Sequence, residues 1–274
     1  MIEDLLIHAP VFILIASRAL VMIETAPLLS SGAIPQVAKI ALAGFVAYTA
    51  FPLAEPTLGA VMIEGGLYSL NFLLMVIGEG IIGLIIGFFL TIIFSAFATA
   101  GQFFSLQMGF GASETFDPLA QTENPLMGQY LNLVAMLVFL TIGGFRMLFL
   151  EGFWRSLESI SIIHLIEGRD AVVSMILAGL SQLFLDAIVI SLPILGTLFL
   201  TSLSTGLISK AAPQINILSE GFPISITVAF VLIFATMPFM VEAFSRVVDA
   251  GFQTLETLYS RIGLQISTSG GGSL

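Results

Sequence analysis

Cysteine is absent from this chain, and with it go disulfides, thiolate nucleophiles, cysteine–zinc sites and iron–sulfur clusters. Charge is nearly as scarce: 9% of the residues are Asp, Glu, Lys or Arg, against about a quarter in soluble domains. The bases number 8 and the acids 18, a net charge of -10. So few bases leave no patch to neutralise phosphates, which speaks against nucleic-acid binding, and no polybasic strip for anionic lipid headgroups. The two histidines, His8 and His164, stand alone, with no H-E-x-x-H motif. No G-x-S-x-G elbow or glycine-rich phosphate cradle occurs. The GFGAS of Gly109–Ser113 lacks the third glycine of a dinucleotide fingerprint and follows an apolar run rather than a strand. These absences point away from an enzyme and call for no cofactor and no metal.

What the chain has is apolar length. Of its 274 residues 57% are hydrophobic and the mean hydropathy is +1.07, which places it in a membrane, with lipid as its solvent. Charge-poor runs fall in about six blocks, 5–23, 37–54, 70–104, 126–150, 171–209 and 222–244. Helix is the default for each, because lipid offers no partner to an unpaired backbone group. The fold class expected is an all-α membrane protein. Two blocks are too long for a simple span: 70–104 as one helix reaches about 50 Å, against a hydrocarbon core of about 30 Å. Block 171–209 is longer still, and Pro193 should kink or break it. Such helices tilt strongly or stand partly outside the membrane, buried in protein. The N-terminus leads with Glu3 and Asp4 rather than bases and reads as retained, not as a signal peptide. Alternating in–out assignment of Lys39, Arg146, Arg155, Arg169, Lys210, Arg246 and Arg261 gives no consistent positive-inside bias, as expected if the blocks are not all conventional spans.

Within the blocks, Glu79, Gly83, Gly87, Thr91, Ser95 and Thr99 repeat at steps of four, and Gly83-x-x-x-Gly87 is a minimal close-approach motif. The TSLSTG of Thr201–Gly206 is similarly small and polar. Packing inside one bundle accounts for both at least as well as packing between subunits. Glu79 and Asp186 lie deep in apolar blocks, where an ionisable group is costly and suggests a proton relay, an ion site or a buried partner. Arg18 is the obvious counter-charge, and a buried ion pair is favoured over a relay.

The stretch LQMGFGASETFDPLAQTENP, Leu106–Pro125, is the polar exception among these blocks. Gly109 and Gly111 let the chain leave a helix abruptly, while Pro118 and Pro125 hold Asp117 and Asn124 out of helical geometry. Phe110, Phe116 and Leu119 give the loop something apolar to pack. Irregular backbone at membrane depth survives only where protein buries it or water fills a path beside it. The loop is therefore an exposed connector or a pore-lining, pore-closing element.

The run GQFFSLQMGFGASETFDPLAQTENPLMGQYLNLVAMLVFLTIGGFRMLF resembles the signature centre of the flagellar biosynthetic protein FliR family. KAAPQINILSEGFPISI, Lys210–Ile226, is similar to that family's A-P-Q…G-F-P motif, and Arg18, Pro27 and IPQVAK match its N-terminal positions. At Gly143–Arg146 the chain departs from the family's usual Gly-His pair. The likeness covers 5–265 and implies a non-enzymatic gate subunit of the flagellar type III protein export apparatus, in the inner membrane of the bacterial flagellar basal body. It implies P-type and Q-type partner subunits in a helically staggered assembly of long, partly broken helical hairpins, an FlhB-type switch protein beside them, and unfolded flagellar proteins as cargo. It further implies a P-like part over 1–170, a Q-like hairpin over 171–266 and a flexible tail over 267–274. The plug residues carried over are Met108, Gly109, Phe110, Gly111, Phe116, Asp117 and Pro118. Pro213, Gln214 and Asn216 join Gly83 and Gly87 as helix-packing positions, and Arg18, Glu79 and Asp186 stand as buried-charge candidates. The alternatives are the equivalent subunit of a virulence injectisome and a proton-coupled secondary transporter using Glu79 and Asp186.

Overall fold

A computed structural model describes residues 2–61, 69–109, 126–159, 169–211 and 217–269. Seven helices account for nearly all of them: α1 (Ile2–Thr25), α2 (Gln36–Val61), α3 (Leu70–Met108), α4 (Leu126–Thr141), α5 (Gly144–Ser159), α6 (Arg169–Ala211) and α7 (Ile217–Ser269). There is no strand among the described residues. Five of the helices are long and apolar enough to cross a membrane, or six if α4 and α5 are one broken span. The chain is an all-α membrane protein.

The anomalous lengths are confirmed. At 39, 43 and 53 residues, α3, α6 and α7 extend about 58, 65 and 80 Å, each well beyond a hydrocarbon core of about 30 Å. Of the kink or break expected at Pro193, the break does not occur: α6 runs through it as one helix. One proline removes one donor, leaving the Val189 carbonyl four residues back without its helical partner, and a 43-residue helix carries that single loss without stopping. Block 126–150, read as one segment, is where the break occurs. Gly143 takes φ 75 and ψ 31, a left-handed conformation that costs a residue with a Cβ, and α4 stops two residues before it.

The described chain groups into two compact units that interleave along the sequence. The first comprises residues Met1–Ile92, Gly143–Gly179 and Asp249–Leu274. In it α2 lies along α1 and buries a face of Ala43, Ala47, Ala50 and Ala54, whose four–three–four spacing marks one side of a helix. Small side chains there let the two helices approach closely. α3 starts under a serine cap, the Phe72 amide donating to Ser69 Oγ at 3.1 Å. Within α5, Met147–Trp154 is a π-helical segment, in which the Arg155 amide donates to the carbonyl of Leu150, five residues back.

The second unit comprises Ile93–Ile142 and Leu180–Val248. Its core is aromatic. Phe94 meets Phe139 and Phe244 edge-on at centroid distances of 5.4 and 5.5 Å, and Phe97 meets Phe244 at 4.6 Å. Outside that core α6 and α7 present long apolar side chains such as Phe184, Val189, Leu207, Val231 and Phe234 to the surroundings.

Candidate functional site: a buried arginine and the root of the central loop

Two places bring helix backbones into contact beside polar or buried side chains. The first is the crossing of α1 and α3. Every fourth residue of α3 from Glu79 to Thr91 faces α1. A Cβ on Gly83 would fall on the Arg18 carbonyl, and one on Gly87 would fall on Thr25 Oγ1 and 2.9 Å from the Met22 carbonyl. Thr91 Oγ1 then donates to the Thr25 carbonyl at 3.0 Å. The stripe therefore sets two backbones in contact inside this chain, at least over Glu79–Thr91, the geometry that small residues at four-residue spacing allow.

That close approach brings Arg18 under Glu79. Arg18 Nε and Nη2 both reach Glu79 Oε2 at 2.6 Å, and Nη1 donates to Ser156 Oγ at 2.9 Å. The residues are 1%, 2% and 0% exposed, so this is a fully desolvated ion pair spread over α1, α3 and α5. Its charges offset one another at short range, which a lone carboxylate at that depth could not do. Of the two deep acids only Glu79 meets Arg18. Asp186 is half-buried on α6 and accepts from Gln182 Nε2, one turn back, at 2.8 Å.

Sequence reading missed the partners on α5. Ser156 passes its own proton to the Phe153 carbonyl at 2.6 Å, and Tyr259 Oη of α7 donates to the Gly152 carbonyl at 2.8 Å. Nothing in the local pattern singles out one serine among many. Lys39, which enters the sequence reading only as one base in the in–out assignment, has a structural role as well. It is 5% exposed and donates to Glu24 Oε2 at 3.0 Å and the Ser30 carbonyl at 3.1 Å, closing the turn between α1 and α2. His8 packs edge-on against Phe51 at 5.6 Å. Among the described residues no three His, Cys, Asp or Glu side chains gather as a metal site requires.

The second place is the root of the central loop. α3 ends when Gly109 takes φ 89 and its amide returns to the Leu106 carbonyl at 3.2 Å, the left-handed stop that glycine permits. Two turns earlier a Cβ on Gly101 would lie 2.5 Å from the Met127 carbonyl and 2.7 Å from Gly128 Cα. The last turns of α3 are thus in backbone contact with the first turn of α4. Along these two helices Phe104 and Met108 are fully buried, and Met127 and Leu131 nearly so. This packed stretch of α3 and α4 is the neck below the loop, and Met108 stands at the end of α3 between that contact and the loop. Phe110, Gly111, Phe116, Asp117 and Pro118 of the expected plug, and Pro213, Gln214 and Asn216 of the second motif, lie outside the described residues.

Comparison with known proteins follows the same stretch of chain. The family described as "Bacterial export proteins, family 1" matches residues 9–251. The flagellar biosynthetic protein FliR of Bacillus subtilis (strain 168) is 26% identical over 257 residues, 93% of this chain and 96% of the relative. The protein of the same description from Borreliella burgdorferi is 32% identical over 197 residues, 70% and 73% of the two chains. The surface presentation of antigens protein SpaR of Shigella sonnei is 29% identical over 212 residues, 76% and 77% of the two chains. With both the α1–α3 crossing and the loop neck inside the matched region, the chain belongs to family 1 of the bacterial export proteins.

Proposed function

We propose that this chain is a non-enzymatic channel subunit of the flagellar type III export gate, and that the segment after Met108 is its plug. The family match over residues 9–251 supports the reading as an export-apparatus subunit. The observation that carries the plug is the neck: Gly101 against Met127 and Gly128, followed by the left-handed stop at Gly109. An ordinary connector needs no such backbone contact below it. A loop that must hold a position against a passing polypeptide, or against ion leak, needs a root that does not spread. Helices longer than the bilayer fit an assembly standing partly above it, with P-type and Q-type subunits, and an FlhB-type switch protein, covering what this chain leaves uncovered. In this reading 1–170 is the P-like part and 171–266 the Q-like hairpin, with 267–274 belonging to neither. The site is the bacterial inner membrane within the basal body, the cargo unfolded flagellar protein.

Shortening 109–118 tests it. The expected outcome is a channel that still co-purifies with its partners but leaks ions and small molecules, seen as slowed growth and dye uptake. Collapse of the assembly with no leak would make the loop packing material. Similarity to SpaR favours one second reading, the equivalent subunit of a virulence injectisome. Restoration of motility in a strain lacking its own R subunit separates the two, since an injectisome subunit would restore effector secretion instead.

A further inference from the structure

The π segment Met147–Trp154 lies where three independent features meet. Just before it, Gly143 holds a left-handed φ of 75, and a Cβ there would meet nothing within 4 Å, so the break is set by backbone conformation and not by packing. At its far end, hydroxyls from side chains take the carbonyls of two successive residues: Tyr259 binds Gly152 at 2.8 Å, and Ser156 binds Phe153 at 2.6 Å. Ser156 is in turn held by Arg18 at 2.9 Å, and Arg18 by Glu79. A π turn is an α-helix with one residue too many. It is uncommon, and it persists where surrounding contacts hold the surplus residue in place. Here the holding groups come from α1, α3 and α7, three helices remote in sequence.

We propose that α5 is a two-register element, latched in its π register by the Arg18–Ser156 and Tyr259–Gly152 hydrogen bonds, with Gly143 as the hinge that absorbs the shift. Release of the surplus residue into ordinary α geometry turns the flanking residues by about 100° about the helix axis. Gly143 takes up that rotation in open space, while α1 and α3 remain fixed by their glycine crossing. Arg18 and Tyr259 are thus positioning residues for α5. The latch does not depend on the loop after Met108 being a plug.

The absence of native cysteine makes the register directly measurable. A Cβ on Gly152 would lie 3.2 Å from Ile86 Cγ2, so Ile86→Cys with Gly152→Cys reports the π register and removes the crowding methyl. Ile86→Cys paired with Glu151→Cys or Phe153→Cys reports a one-residue shift. The full chain is oxidised in native membranes together with its partner subunits. The parental sequence should cross-link 86 to 152 and to neither neighbour. Tyr259→Phe and Ser156→Ala, each deleting one hydroxyl, should lower the 86–152 yield about fivefold, the population change that one lost hydrogen bond produces, and raise one neighbouring pair. Arg18→Gln should do so more strongly. If it fails to accumulate, the two hydroxyl deletions decide. An unchanged 86–152 yield in both, or a loss with no neighbouring pair gained, would overturn the latch and leave the network as packing alone.

Discussion

Among the described residues the three buried charged side chains, Arg18, Lys39 and Glu79, all belong to the first compact unit, whereas the second builds its core from Phe94, Phe97, Phe139 and Phe244. Both units use glycine to bring two helices into backbone contact, at Gly83 and Gly87 in the first and at Gly101 in the second. They differ in what stands beside the contact. In the first unit an ion pair must meet at one register or leave a charge stranded. In the second, aromatic rings fill space and tolerate small slides at little cost. Backbone proximity alone is thus shared, and directional pairing distinguishes the region that carries the π segment from the region that carries the loop neck.

The test that would break this contrast hardest is Glu79→Ala. It leaves the Arg18 guanidinium buried without its counter-charge, and removal of one partner from such a pair costs about 3–5 kcal/mol. Thermal unfolding in detergent should show that loss, and the double change Arg18→Met with Glu79→Met should recover most of it, because a buried pair can be replaced by apolar volume at little net cost. A loss below about 1 kcal/mol in the single variant would mean that water reaches the pair, and the contrast between units would fall.

How much of this could be read in advance depended on what each feature requires of the sequence. The apolar blocks located every long helix, since hydropathy is what makes a span. Block 222–244 stops short of α7 because Arg246 and Asp249 end a hydropathy run without ending a helix. Gly83 and Gly87 were visible as a four-residue repeat. Arg18–Glu79 was visible as opposite charges in apolar company, though which acid Arg18 would meet was not, because that depends on how two helices cross. Ser156, Tyr259 and the π turn left no trace: they follow from the fit between helices far apart in sequence. Gly143 stands out in the sequence as a departure from a family motif, yet its role in breaking the block rests on a φ value that no residue pattern states.

The next largest effects probe what the units share. Gly83→Val and Gly101→Val both drive a Cβ into backbone that cannot yield, and overpacking of this kind costs about 1–3 kcal/mol. Equal losses in the two variants would confirm that backbone contact contributes alike on both sides. A loss at Gly83 alone would show the loop neck to be loose, and the plug proposal would lose its root. Smaller still is Phe244→Leu. It keeps most of the apolar volume and gives up the edge-on contacts to Phe94 and Phe97, at about 0.5–1.5 kcal/mol per pair. Cross-linking of engineered cysteines across the second unit should broaden in this variant while the first unit's pattern holds.

The smallest effect on the isolated chain carries the sharpest comparison. Gly196 on α6 stands in open space, with nothing within 4 Å of the Cβ it lacks, although it is the same residue type in the same kind of helix as Gly101. Alanine there relieves the helix of glycine's entropy, so Gly196→Ala should leave the purified chain unchanged or more stable by up to about 1 kcal/mol. Gly101→Ala should destabilise it, its new methyl meeting Met127 and Gly128. The proposed assembly predicts a different ordering once partners are present. If Gly196 marks where a neighbouring helix is seated, a methyl at that point lowers the yield of co-purified P-type and Q-type subunits without touching the stability of the chain itself. Thermal unfolding of the isolated chain and partner yield from solubilised membranes, measured on the same Gly196→Ala preparation, separate the two effects. Unchanged yield with unchanged stability would assign that face of α6 to lipid.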